Sequence, residues 1–238
     1  MSDRRTTPHA RTANILLASL PQAELNALLP RFERVELPLR AVLEPLAREP
    51  EAVVFLLSGI ASRVAYSRDQ RLEVGLMGRE GMAGLGAMLG AGPMPHEVFM
   101  QVAGTGLRME AKAFRSALEE CPGLRDVMHK WIHVCFVQMQ QTALANARHT
   151  LEERLARWLL MSADRLDARF VPLTHEFMAL MLGVHRPGVT LAMHTLEGAG
   201  LIKAERGKVT IVDRAALEEV AGDGYGIAEA ESRRLFGA

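Results

Sequence analysis

Apolar and polar residues change rhythm twice along this chain, and the changes divide it. Over Asn14–Leu29 the residues Ile15, Leu16, Leu17, Leu20, Leu25, Leu28 and Leu29 recur at helical steps, with an interruption at Pro21. That pattern predicts a short, broken helix. From Val35 to Glu110 the texture becomes a series of short runs: RVEL, AVLE, EAVVFLLSG, IASRVAY, RLEVGLM, HEVFMQV and GLRME. Gly, Pro and charged turns part them, and so many short strands predict a compact barrel or roll.

The second change comes at Ala111. Leu124–His149 has no Gly or Pro, and Met128, Trp131, Cys135, Gln138, Thr142 and Ala145 continue one helical face, which Val127, Val134, Val137 and Leu144 widen. The helix is longer than one small roll needs. A broad apolar stripe between two domains is expected to pair with its own copy, so those six residues are the expected dimer interface. Burial within one subunit is the alternative. Thr150, followed by Glu152 and Glu153, is expected to cap a further helix, LEERLARWLLMSADRL, buried through Leu151, Leu155, Trp158, Leu159 and Leu166.

Residues 173–212 carry the clearest pattern. Thr174 stands where an N-cap belongs, and HEFMALML follows with Phe177, Leu180 and Met181 facing inward. Gly183 permits a sharp turn between two helices. The second helix runs from about Arg186 to Glu197, with Pro187 in its first turn, where a missing N–H is harmless. Val189, Met193 and Leu196 anchor it, while Arg186, Gly188, Thr190, Leu191 and His194 share the opposite face. A Leu-Ile strand and a basic, Gly-tipped hairpin complete a winged helix-turn-helix, whose second helix is shaped for the DNA major groove.

The candidate contacts follow from side-chain chemistry. Arg186 suits a bidentate bond to guanine, and Thr190 a base edge or thymine methyl. Gly188 would let a phosphate near the backbone, while Thr174, His175, His185 and His194 are further candidates. Lys203, Arg206 and Lys208 on the hairpin would meet the DNA backbone or minor groove.

Charge adds little. The 238 residues hold 28 basic and 28 acidic side chains, and Thr174–Arg214 holds five bases against four acids. Binding would therefore depend on where charges sit rather than on their sum. The opening MSDRRTTPHARTA has no apolar segment, and no apolar run reaches the roughly 20 residues of a membrane span. Two separated cysteines, Cys121 and Cys135, fit a reducing compartment, so a cytoplasmic protein without membrane contact is expected. No GxSxG, HExxH or glycine-rich phosphate loop occurs, and the paired acids are adjacent on helices, so no catalytic residues and no enzyme are expected.

The segment LTHEFMALMLGVHRPGVTLAMHTLEGAGLI resembles the winged-helix domain of the Crp–Fnr family of bacterial transcription regulators. VVFLLSGIASRVAY is similar to that family's cyclic-nucleotide-binding-type β-roll, and the helix from Leu124 takes the place of its dimerisation helix. The resemblance implies an α+β chain: an antiparallel, jelly-roll-like β-roll, a long dimerisation helix and a C-terminal winged helix-turn-helix. The expected divisions are a tail at 1–13, a sensor roll at 14–115, the dimerisation helix at 116–149, the DNA-binding domain at 150–221 and a tail at 222–238. The implied function is a homodimeric regulator of a palindromic operator, with RNA polymerase as a further partner.

Two departures qualify it. Many members read DNA with an Arg-Glu pair and an Arg four residues on; Arg186 carries over, but Pro187 and Leu191 stand at the other positions. Members that bind cyclic AMP use a Gly-Glu pair on the ribose and an Arg-Ser pair on the phosphate. Here Gly84-Leu85 and Pro95-His96 stand there, leaving Gly84, Leu85 and His96 as pocket candidates with no acceptor for ribose and no guanidinium for phosphate. An effector other than cyclic AMP, or none, is expected. Residues 1–120 have no cysteine for an iron–sulfur cluster, and His129 and His133 lack a third ligand, so no cofactor and no metal are expected. A protein-interaction module whose winged helix does not bind DNA is the alternative function.

Overall fold

The structure is a computed structural model that describes residues 13–68 and 70–237. Most of the expected N-terminal tail lies outside the described residues. Two short helices, α1 (Ile15–Ala18) and α2 (Gln22–Leu28), flank the break at Pro21. Asn14 caps α1 and also donates to the carbonyls of Leu56 and Gly81, which ties this segment to the roll.

Eight strands follow: β1 (Glu33–Leu37), β2 (Val42–Glu44), β3 (Ala52–Leu56), β4 (Ile60–Ser67), β5 (Gln70–Met77), β6 (Met82–Ala83), β7 (His96–Val102) and β8 (Gly104–Glu110). Helix α3 (Leu85–Leu89) lies between β6 and β7. The strands form two antiparallel four-stranded sheets, ordered β1-β8-β3-β6 and β2-β7-β4-β5. Their shared interior is apolar, with Phe55, Met82, Met100 and Phe114 fully buried. The short apolar runs of the sequence become these strands, and β3 is buried along its whole length.

Helix α4 (Ala111–Glu120) leads into α5 (Pro122–Arg148). The stripe expected to face a second copy instead faces the roll of its own chain. Met128, Trp131, Cys135, Gln138 and Ala145 are 1–6% exposed in a single subunit. Gln138 accepts from Leu76 N at 2.8 Å and donates to Leu76 O at 3.0 Å, while half-buried Thr142 donates to Gln138 O and accepts from Arg157. The roll needs a lid, and the most apolar face of the nearest long helix supplies it. Gly81 makes room, since a Cβ there would lie 2.7 Å from the Trp131 ring. The surface of α5 left exposed is the opposite one, running through His129, Phe136, Gln140, Ala143, Leu144 and Ala147. Phe136 is 56% exposed, far above the norm for a phenylalanine.

Helix α6 (Leu151–Leu166) opens on a reciprocal cap: Thr150 Oγ1 accepts from Glu153 N, and Glu153 accepts from Thr150 N. The winged helix is β9 (Phe170–Val171), α7 (His175–Leu182), α8 (Arg186–Gly198), β10 (Ile202–Glu205) and β11 (Lys208–Ile211), followed by α9 (Arg214–Ala221). Its core of Trp158, Met178, Val189, Leu196 and Val209 also takes in Val64 from the outer face of β4, so the two domains share one packed boundary. Residues 222–238, expected as a tail, contain a helix, α10 (Ile227–Phe236), which lies along α5 with His133 Nε2 2.6 Å from Glu231 Oε1.

Candidate nucleic-acid interface

The reading head begins with a turn only glycine makes without strain. Gly183 ends α7 at φ 65, and a Cβ there would also meet Leu72 of the roll at 2.8 Å. Thr174 caps α7 by accepting from Phe177 N at 3.3 Å, and Arg154 donates to the carbonyl of Leu182 at 2.5 Å. His185 stands at the N-cap position of α8 without a side-chain capping bond, and Pro187 falls in the first turn. Val189, Ala192, Met193 and Leu196 bury one side of α8, so the other side is fixed by elimination.

That other side carries Arg186, Leu191 and His194, all exposed. Leu191 is 67% exposed, which gives the head an apolar contact fit for a thymine methyl. Two predicted contacts stand differently. Gly188 is only half-exposed, and a Cβ there would meet Leu151 of α6 at 3.2 Å, so its smallness serves packing as well as any approaching phosphate. The Thr190 hydroxyl is engaged within the chain, donating to Arg186 O at 3.2 Å and lying 3.2 Å from His175 Nδ1. His175 and Thr190 thus brace α7 against α8.

On the wing, Gly207 turns β10 into β11 at φ 73. Lys203 Nζ lies 3.2 Å from Glu205 Oε1, and Lys208 sits 4.8 Å above the Phe170 ring. Arg206 is exposed and forms no ion pair among the described residues. The three wing bases are therefore unequal: one is neutralised, one is stacked and one is available.

In the roll, Gly84 and His96 meet around a group the sequence did not single out. Glu44, wholly buried at the end of β2, accepts from Gly84 N at 3.0 Å and Gly86 N at 3.3 Å, and lies 3.5 Å from His96 Nε2. Burial would raise its pKa, but the neighbouring His96 and the Gly84 amide outweigh that and hold the carboxyl below its usual range. Leu85 is buried and offers no polar atom. The amides at the start of α3 are thus occupied by the chain's own carboxylate. The only hint in sequence was an acid ending an otherwise apolar run, AVLE. Burial also pushes the Cys135 thiol up, which keeps it protonated. No group of three metal-binding side chains occurs among the described residues.

Residues 153–220 match the family model of the Crp-like helix-turn-helix domain. No curated protein sequence matches the chain significantly. Among solved structures, a transcriptional regulator of the crp/fnr family from Eubacterium rectale aligns at 17% identity and TM-score 0.67, over 87% of this chain and 97% of its own. FixK2 from Bradyrhizobium japonicum aligns at 14% identity and TM-score 0.69, over 79% and 96%. The c-di-GMP responsive global regulator CLP of Xanthomonas campestris aligns at 14% identity and TM-score 0.67, over 80% and 99%. At these identities the likeness is one of fold. Residues 153–220 thus match a Crp-like helix-turn-helix domain, and the chain as a whole shares the fold of these structures, a β-roll joined through a long helix to a winged helix-turn-helix.

Proposed function

We propose that the chain is a homodimeric, sequence-specific regulator of transcription that reads a palindromic operator through α8. The observation that carries this is the face of α8: Arg186, Leu191 and His194 all reach solvent, while the opposite side is locked into the domain core. Two copies joined along the Phe136–Ala147 face of α5 would present two such helices to groove faces roughly 34 Å apart. RNA polymerase is a further expected partner and the cytoplasm the expected location, on the resemblance to the family and on the lack of any helix long and apolar enough to cross a membrane among the described residues. The protein acts by binding, not turnover. Control passes through the roll by an effector other than cyclic AMP, a reading supported by Glu44 on the Gly84 and Gly86 amides. A cyclic phosphate there would have to displace a buried carboxylate.

A second reading, a winged helix that docks on protein, draws on the neutralised Lys203 and the stacked Lys208. Selection of bound duplexes from a random pool by the purified chain separates the two. Enrichment of an inverted repeat supports the operator reading, and enrichment of nothing favours protein docking.

A further inference from the structure

We infer that the cleft between the roll and the winged helix is a binding site for a small amphiphilic carboxylate, an apolar ring or short chain ending in one acid. The cleft measures about 700 Å³, within the range of small-molecule sites. One wall is the outer face of the roll and the other is α7 with the tip of the wing at Gly207.

Part of its lining is apolar. Phe99 of β7 and Phe177 of α7 meet edge to face across the domain boundary, with centroids 6.4 Å apart, and Leu180 continues that surface. At the mouth, Leu39 and Val42 are 58% and 52% exposed, an apolar rim that nothing in the chain covers. A ligand's hydrocarbon body would cover it.

The polar groups define the other end. Gln101 lines the cleft at 1% exposure; its Oε1 accepts from Ser62 Oγ at 2.5 Å, leaving Nε2 as a buried donor with no partner. A buried amide in that state calls for an acceptor. Arg40 and Arg71 stand at the rim and supply positive charge. Of the two acids there, Glu97 is engaged by the Tyr66 hydroxyl, and Glu176 is exposed in the first turn of α7. Arg40 forms no ion pair among the described residues, yet it holds a φ of 66, where a glycine would sit without strain. A cation without an ion-pair partner among the described residues, beside an apolar cleft, fits recognition of an anion. Because both domains line the site, an occupant would favour one placement of the reading head over others.

Calorimetric titration of the full chain with phenylbutyrate and its neutral analogue phenylbutanol tests the inference with no DNA present, so its outcome is independent of the operator reading. The acid is expected to bind saturably and about tenfold more tightly than the alcohol. Arg40→Gln should lower the acid's affinity to that of the alcohol, and Val42→Trp, at an exposed position, should abolish binding of both without lowering Tm. No saturable binding of phenylbutyrate, equal affinity for acid and alcohol, or binding that survives Val42→Trp would overturn it.

Discussion

Glu73 of the roll accepts a hydrogen bond from the indole Nε1 of Trp158 at 2.7 Å, and this buried pair joins the roll to α6 of the winged-helix domain. The carboxylate's second oxygen has no partner. Burial, only partly offset by the Trp158 bond and by the charges of Arg165 and Arg157, pushes its pKa up to about 7. The folded state therefore holds a proton that the unfolded chain loses at ordinary carboxylate pH. Stability should fall as pH rises from about 4.5 to about 7. Glu73→Gln should remove that loss. Urea unfolding should show the variant more stable by on the order of 3 kcal/mol above pH 8, and nearly equal to the parent near pH 5. A gap independent of pH would sink this assignment.

Glu44 has the opposite sign. Its depressed pKa means that it contributes stability above the usual carboxylate pKa, lost as pH falls through the folded value. Glu44→Ala leaves the Gly84 and Gly86 amides without their acceptor. The expected cost near neutrality is about 1–3 kcal/mol, narrowing in acid, by the same unfolding measurement.

The two faces of α5 should respond differently. Trp131→Ala removes a ring packed inside the subunit and should lower monomer stability by about 3–5 kcal/mol. Phe136→Asp alters an exposed ring and should leave the fold intact while turning the proposed dimer into monomers in analytical ultracentrifugation. A Phe136→Asp protein that remains dimeric would place the interface elsewhere.

These contrasts also mark where the sequence ceased to be legible. The strands, the Thr150 cap and the Gly183 turn were readable because each depends on residues a few positions apart. The stripe through Trp131 and Gln138 was equally visible as a stripe. Whether a roll or a second copy covers it depends on contacts such as Gln138 to Leu76, which lie far apart in sequence. The role of Glu44 is not legible in the sequence for the same reason, since its partners at Gly84 and His96 come from other elements. On α8 the exposed face was legible from its apolar steps, but the engagement of Thr190 by Arg186 O and His175 was not.

The wing bases should separate by salt dependence. Arg206→Ala is expected to weaken binding across sequences alike and to reduce the slope of log affinity against log salt by about 1. Lys203→Ala should change that slope little, because Glu205 already neutralises the ammonium. Equal effects of the two variants would show that the pair opens on DNA.

The most direct measurement is the affinity of the parent and Arg186→Ala proteins for the duplex that the parent selects, set against variants of that duplex changed one base pair at a time. Loss of about 1–3 kcal/mol of binding in Arg186→Ala, with discrimination relaxed at one position of each half-site, is the expected result. Undiminished affinity and unchanged base preference in Arg186→Ala would contradict a reading head built on α8.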